Sequence, residues 1–487
     1  MSTTSPQSTE APRKRLVASF IATVVFIGIG ATSTTLLAKA AYVKAAQPII
    51  DELGRVQVII DFTDDAHLRY PGKITLLPRT QKSGDDKPHE FFHNPKTEAL
   101  VADFEKAYGL ERTGMTSWVG NSVTAFVTPD QVTRLQDDAR VKTIFDDVAD
   151  RFSGDPTPQP SGSPGSAIWG NTVGAETTSW GHQAVNGKVR TVSNTRKVYI
   201  IDSGVAAHSD LSSVSARLNV ACGAVSCNPT NPSMYPVVGC YAHSTHVAGI
   251  IGAQAGNNTG TNGIYAGANM VSLSVLSRTG SDMCANYSGD PPNTPSFPVY
   301  RSRIGYALDY IYWDTLYNNI QQWVNIVNIS INSAGVAING STPQVNWAKA
   351  KKVIAPDTVF VGCGIQPDCT EEEQYRYYPA AFIAQSAGNQ NKNETCIGQF
   401  DAHYLPRAVP PGGPGVVADD EDGFMVVGAI NRYGNRPTEF MASTGVVPAV
   451  ADGGSNYGDC VDIWAPGDEI VSTWGDVAVF GDRKSVV

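Results

Sequence analysis

Two kinds of apolar patterning divide this chain of 487 residues. In the first, short alternating runs flank helical ones. Residues 56–62 (VQVIIDF) alternate and are rich in β-branched side chains, which predicts a strand; residues 97–108 set Leu100, Val101, Phe104 and Tyr108 on one helical face, ended by Gly109. Residues 122–127 read as a second strand. Thr128 then stands as N-cap with Pro129 at the first helical position, Val132 and Leu135 lie inside the helix, and residues 141–145 form a last strand. The order β, α, β, α, β describes a small split βαβ unit, which by itself names no chemistry.

The second pattern begins beyond residue 190. Continuous apolar runs at 197–201, 324–331, 382–385 and 424–427 alternate with helical periodicity through Val247, Ile250 and Ile251, and again through Ile304, Ala307, Leu308, Ile311 and Tyr312. Strands apolar on both faces and interleaved with helices are what a parallel α/β sheet requires. Residues 228–238, 281–298 and 363–378 read as surface insertions. Between the two patterns, residues 151–166 (RFSGDPTPQPSGSPGS) are rich in Pro, Gly and Ser and read as an exposed linker open to proteolysis. No internal repeat is visible.

Composition narrows the function classes. The chain has 42% apolar residues alongside 46 Gly and 30 Pro, enough to bury a substantial interior. Its net charge of −10, with basic residues scattered, removes electrostatic support for a nucleic-acid partner. Arg13, Lys14 and Arg15 precede an uncharged stretch, 16–38, and the small-x-small triplet Ala38-Lys39-Ala40. This reads as a signal peptide or, since the stretch is long enough to span a bilayer, as an uncleaved anchor. Both readings export the rest of the chain, and neither places membrane contact elsewhere. All eight cysteines (Cys222, Cys227, Cys240, Cys284, Cys363, Cys369, Cys396 and Cys460) come after the first two hundred residues, an even number suited to disulfides in an oxidising compartment. A zinc site is the competing reading, but it lacks any paired C-x-x-C spacing.

Three short segments carry candidate chemistry. Asp202 ends the predicted strand at 197–201 and precedes Ser203-Gly204, where reactive groups collect in open α/β sheets and where turn-forming Asp is also common. His243-Ser244-Thr245-His246-Val247-Ala248-Gly249 places His243 at a helix start; its two histidines lack the glutamate and the four-residue spacing of a zinc protease. Gln385-Ser386-Ala387-Gly388-Asn389 ends another strand with an amide that is either an ordinary turn residue or a donor to an oxyanion.

Taken in order, these segments, together with Ala465-Pro466-Gly467, resemble the subtilisin-like serine peptidases (peptidase S8) over residues 191–475. Supporting likenesses are 263–268 (GIYAGA), 328–331 (NISI), 426–429 (VVGA) and 460–463 (CVDI). The resemblance implies a subtilisin-like three-layer α/β fold with a mainly parallel sheet in 191–487. Before it would come a ferredoxin-like α+β propeptide of the inhibitor I9 type in 51–150, a linker and maturation region in 151–190, and a signal or anchor in 1–41. Trp169-Gly170 is like the start of a mature enzyme of the family, which would put processing between Arg151 and Ile168. For mechanism it implies an Asp-His-Ser triad in which Asp202 orients His243, with Asn389 in the oxyanion hole and Ser330, Ile331, Ala387 and Gly388 lining the substrate cleft. Its partners would be protein or peptide substrates and its own propeptide in the cleft. No cofactor is implied; structural calcium is frequent in the family, but no ligand set can be named.

The sequence departs from the family where the nucleophile belongs. The Gly-Thr-Ser-Met-Ala-x-Pro motif, expected roughly twenty residues after Ala-Pro-Gly, is not in these 487 residues. Ser485 lies in the right region without its context, and neither Ser203 nor Ser443 has that context. Ser244 and Asn332 replace glycines, and Tyr241-Ala242 replaces a Gly-rich lead-in, each adding bulk near backbone. The expectation is therefore an endopeptidase precursor, incompetent as given, whose nucleophile segment has been cut away. A non-catalytic, peptide-binding pseudoprotease is the alternative, and poor folding through uncovered sheet surface a third.

Overall fold

The computed structural model describes residues 39–45, 48–63, 93–151, 170–173, 176–187, 196–220, 242–275, 298–317, 325–331, 353, 359–360, 375–376, 381–389, 391, 393, 423–438, 454–458, 461–468, 470–474 and 477–481. The 16–38 stretch, all eight cysteines, most of the linker, Tyr241, Asn332, Ser443 and Ser485 lie outside them. Among the described residues no helix is long and apolar enough to cross a membrane.

The first apolar pattern folds as β1 (Ala41–Val43), β2 (Val56–Phe62), α1 (Pro95–Tyr108), β3 (Arg112–Thr116), β4 (Ser122–Val127), α2 (Pro129–Gln136), β5 (Val141–Asp146) and β6 (Ala149–Arg151). Local chemistry sets the helix ends. Asn94 accepts from the N–H of Lys96, Pro95 opens α1, and Gly109 closes it at φ 65°, a left-handed conformation that favours glycine. Thr128 and Gln131 form a reciprocal capping box on α2. The five-stranded sheet has the order β1-β5-β2-β4-β3, antiparallel except for β1 beside β5. The sequence reading missed β1 and β3. The latter is RTGMT, polar and interrupted by glycine, and it becomes a strand because β4 offers it an edge. Val58, Ile60 and Phe62 pack against Val101, Phe104, Val132 and Leu135, with the Phe62 and Phe104 rings 4.6 Å apart edge to face. Burying each such side chain contributes about 1.5–3 kcal/mol.

The second pattern adds β7 (Gly170–Val173), β8 (Glu176–Ser179), α3 (Trp180–Ala184), β9 (Lys197–Asp202), β10 (Val214–Asn219), α4 (Ala242–Gly252), β11 (Gly260–Thr261), β12 (Asn269–Ser274), β13 (Pro298–Tyr300) and α5 (Arg301–Tyr317). It continues with β14 (Asn325–Ile329), β15 (Val359–Phe360), β16 (Tyr375–Arg376), β17 (Ala381–Ser386), β18 (Phe424–Ile430), β19 (Ile463–Pro466), β20 (Ser472–Trp474) and β21 (Val477–Gly481). Seven strands form one sheet, ordered β10-β12-β9-β14-β17-β18-β19, and every described pairing in it is parallel.

Alternation along β9 explains the layers. Val198 and Ile200 pack with Val247 and Ala248 of α4, whereas Tyr199 and Ile201 pack with Ile304, Leu308 and Ile311 of α5. The result is helix, sheet, helix, the three-layer α/β arrangement expected from the sequence. Part of the 151–190 segment carries regular structure. β7 pairs with β8, and α3 is held by the Trp180 indole N–H donating to the carbonyl of Asp468 at 3.0 Å, so residues 170–173 and 176–184 are built into the second unit. Two supposed insertions likewise reach into strands: Pro298 opens β13, and residues 375–376 form β16.

Candidate active site

Parallel strands all end on one edge, and the strand order decides which ends meet. The chain runs from β9 outward to β10, returns through β12, and then crosses to β14 on the other side of β9. That switch point is where open α/β sheets bind ligands. Asp202 is the last residue of β9, opposite Ser274 of β12, and the ends of β14 and β17 carry Ser330 and Ser386 to the same edge.

His243 comes to Asp202 from α4. Its Nδ1 lies 3.0 Å from Asp202 Oδ1, and both side chains are buried. With the carboxylate ionised, the imidazole carries its proton on Nδ1 and leaves Nε2 as the acceptor. The Ser203 N–H donates to the same oxygen at 2.6 Å, and the Val275 N–H to the Asp202 carbonyl at 3.0 Å, so the residue is held from both sides. Gly204, at φ 104°, lets the chain turn away directly afterwards.

The helix that carries His243 is fastened along its length. Thr245 Oγ1 accepts from the N–H of Ala206 at 2.9 Å, and the hydroxyls of Ser472 and Thr473 donate to the carbonyls of His246 and Thr245 at 2.6 Å. β20 comes this close because residue 249 is glycine; a Cβ there would overlap both hydroxyls. His246 Nε2 lies 3.2 Å from the Ile470 carbonyl, so the two histidines of the motif serve different partners. Ser244, in the place of the family's glycine, is fully buried, and His243 keeps its bond to Asp202 beside it.

Asn389 is buried at the end of the turn after β17. Gly388 adopts φ 107°, and the turn is clamped by Asn456, whose Nδ2 donates to the Ala387 carbonyl and whose N–H donates to the Gly388 carbonyl, each at 2.9 Å. Ser330 and Ile331 come directly after β14, where Asn328 Nδ2 donates to Ser330 Oγ at 2.9 Å. Asn456 escaped the sequence reading because nothing marks an Asn in a Gly-Gly-Ser-Asn-Tyr loop. β13 escaped it too. It precedes α5, whose Arg303 reaches the Val275 carbonyl at 3.4 Å, and it pairs antiparallel with β6 in the register Pro298 with Arg151 and Tyr300 with Ala149.

Among the described residues no group of three or more His, Cys, Asp or Glu side chains is placed to hold a metal. Asp210, in a region of small polar residues, accepts from Asn257 Nδ2 at 2.7 Å and from the Thr261 N–H at 3.1 Å. Both oxygens of its carboxylate are thus engaged by N–H donors.

A sequence model of the subtilase family (peptidase S8) matches residues 193–483, which span the Asp202 and His243 pair, the Asn389 turn and β20. The chain belongs to the subtilase family. It is thereby a member of a family of serine peptidases, and its mostly parallel sheet is the one that this membership implies. Solved structures similar to this subtilase include the epidermin leader peptide processing serine protease of Staphylococcus aureus, at 13% identity and a TM-score of 0.44, covering 85% of this chain and 75% of that one. MycP1 from Mycobacterium smegmatis is similar at 17% identity and a TM-score of 0.35, over 67% and 70%. The nisin leader peptidase NisP from Lactococcus lactis is similar at 19% identity and a TM-score of 0.32, over 59% and 68%. No curated protein matches this subtilase.

Proposed function

We propose that this subtilase is the precursor of an exported serine endopeptidase, in which Asp202 and His243 form the acid–base pair and Asn389 the oxyanion donor. The observation that carries the reading is the buried 3.0 Å bond between Asp202 and His243 at the carboxyl edge of a subtilase sheet. His243 Nε2 takes the proton of a serine hydroxyl as it attacks the peptide carbonyl, then returns it to the leaving amine. Asp202 keeps the ring in the required tautomer and stabilises the imidazolium. The Asn389 amide donates to the tetrahedral oxyanion, a contact typically worth about 3 kcal/mol of barrier. Arg13 to Arg15 ahead of the uncharged 16–38 stretch support export.

Residues 51–150 serve as the propeptide, a folding domain that also blocks the cleft. The pairing of β6 with β13 supports this, because a strand added to an exposed edge is how a peptide backbone is held. Processing then takes place between Arg151 and Ile168.

The family's nucleophile motif is not in the sequence, so these 487 residues perform no acyl transfer by themselves. A serine-directed fluorophosphonate leaves the purified chain unlabelled; stoichiometric modification of any residue sinks this statement. A chimera continued past Val487 with a subtilase segment bearing Gly-Thr-Ser-Met-Ala-x-Pro is labelled at the introduced serine and cleaves peptides, and H243A abolishes both. The alternative is a non-catalytic peptide binder. Stoichiometric peptide binding by the chain, with a folded but inactive chimera, would select it.

A further inference from the structure

The loop that carries Asn389 leaves the sheet at Ala387, whose N–H still donates to the Val427 carbonyl of β18 at 2.8 Å. Beyond that bond, residues 454–457 run beside the loop in the place of a strand. Asn456 closes on the Ala387 and Gly388 carbonyls, the Asn391 N–H donates to the Gly454 carbonyl at 3.0 Å, and Asn393 bridges Tyr457. A donor to a developing charge must be held within about 0.5 Å of its productive position, and a loop by itself does not supply that precision.

The 454–457 segment is fastened in its turn. The Ser455 N–H donates to the Pro437 carbonyl at 2.9 Å, while Ser455 Oγ accepts from the Ala429 N–H at 2.9 Å and donates to the Asn456 carbonyl at 3.0 Å. Gly454, at φ 60°, lies so close to residues 437 and 438 that a Cβ would overlap the Pro437 carbonyl.

Arg436 joins the loop to this segment through one nitrogen. Its Nη1 donates both to Asn391 Oδ1 and to the Ser455 carbonyl, the latter at 2.9 Å, and its guanidinium carbon lies 4.2 Å from the centre of the Tyr457 ring. Both acceptors are neutral oxygens, so the side chain serves as a planar donor resting on a ring and not as half of an ion pair. Asn391 stands at φ 52°, a left-handed conformation unfavourable for a residue with a side chain, and the bond from Arg436 to its Oδ1 opposes relaxation.

We propose that Arg436 is a positioning residue for the oxyanion donor: by tying Asn391 to the 454–457 segment it fixes the turn on which Asn389 stands. It acts through Asn391 and Ser455, not on the substrate. The inference rests on Asn389 being that donor, as proposed above.

The first measurement uses the full chain, with hydrogen exchange followed residue by residue by NMR. R436A is expected to speed exchange of the Asn391 and Asn456 amides about tenfold or more, while the Ala387 amide and those of β14 keep their protection, which separates a loosened loop from a lost fold. R436K is expected to match R436A, because lysine offers no plane to rest on Tyr457. The second measurement uses the chimera that carries the Gly-Thr-Ser segment. There R436A is expected to lower kcat about 30-fold and to change KM less than about threefold, the split of an interaction made in the transition state. With N389A already in place, R436A is expected to lower kcat by less than about threefold more, since the group it positions is gone. N391G removes the acceptor and keeps the left-handed backbone accessible; it is expected to reproduce both effects and decides the matter if R436A also unprotects β14. Unchanged exchange at Asn391 and Asn456 overturns the proposal, and so does a loss of kcat from R436A that is as large with N389A as without it. A folded chimera that is inactive, or whose kcat N389A leaves unchanged, overturns the reading of Asn389 as the donor, and the role of Arg436 with it.

Discussion

In the leading unit each helix end is closed by a residue within a few positions: Asn94 by the N–H of Lys96, Thr128 by Gln131, Gly109 by the Glu105 carbonyl. In the parallel-sheet unit the groups that matter are far apart in sequence. Asp202 and His243 are separated by 41 residues, and Thr473 reaches the helix of His243 across 228. In the leading sheet only β3 and β4 pair as sequence neighbours, but its helices cap themselves, whereas every strand beside Asp202 must be brought in by a crossover. A unit of the first kind tolerates change by local repair. One of the second kind loses its site when any of several remote elements shifts.

The largest test of this contrast is at the site. In the chimera that carries the Gly-Thr-Ser segment, D202N is expected to lower kcat about 10⁴-fold through the wrong imidazole tautomer while leaving KM and the melting temperature nearly unchanged, as steady-state kinetics and calorimetry would show. A fall of less than tenfold would mean that the long-range pair does not do what its geometry suggests. Next in size is the leading core: F104A removes the ring packed on Phe62 and is expected to cost about 3–5 kcal/mol in denaturant unfolding of that unit. Signals from Tyr199 and Trp313 in the parallel sheet's core should shift far less, which simultaneous loss of both units would contradict.

A smaller effect belongs to the caps. T128A opens the reciprocal box at the start of α2 and is expected to cost about 1 kcal/mol, confined to the leading unit. Smallest is a charge effect. Hydrogen bonds from the Arg140 guanidinium, and then from the Tyr108 hydroxyl, hold the Asp138 carboxyl well below the usual carboxylate range despite partial burial. A depressed carboxyl contributes stability that is complete above its unfolded-state value near 4 and is lost as pH falls through the lower folded value. D138N should therefore be less stable at pH 7 and show a flatter acid limb below about pH 4, measured by pH-dependent thermal unfolding. A steeper acid limb would reverse the assignment.

Legibility followed the same division. The helix faces of Val101 and Phe104, the Thr128 cap and the strand of residues 56–62 could be read because their causes lie within a few positions. Asp202, His243 and Asn389 could be read only as an ordered set, since each alone is ordinary turn or helix-start chemistry. Asn456 left no sequence signal, because its amide works on the Ala387 carbonyl, 69 residues away. Asp309 looked like one more polar position on an amphipathic helix until the leading unit supplied its donors.

What the sequence determined by itself is therefore the alternation that makes one short sheet with capped helices and one long parallel sheet, and the family to which the Asp, His and Asn segments point. Propensity, capping and periodicity act over one to a dozen residues and are written where they act. Tertiary structure alone decided that β3 and β13 are strands, that Asp202 stands at a switch point with His243 3.0 Å away, and that α5 meets Gly114 through Tyr306. Each of those depends on an edge, a crossover or a cavity contributed by a distant segment, and a pairing partner leaves no mark on the residues it will meet.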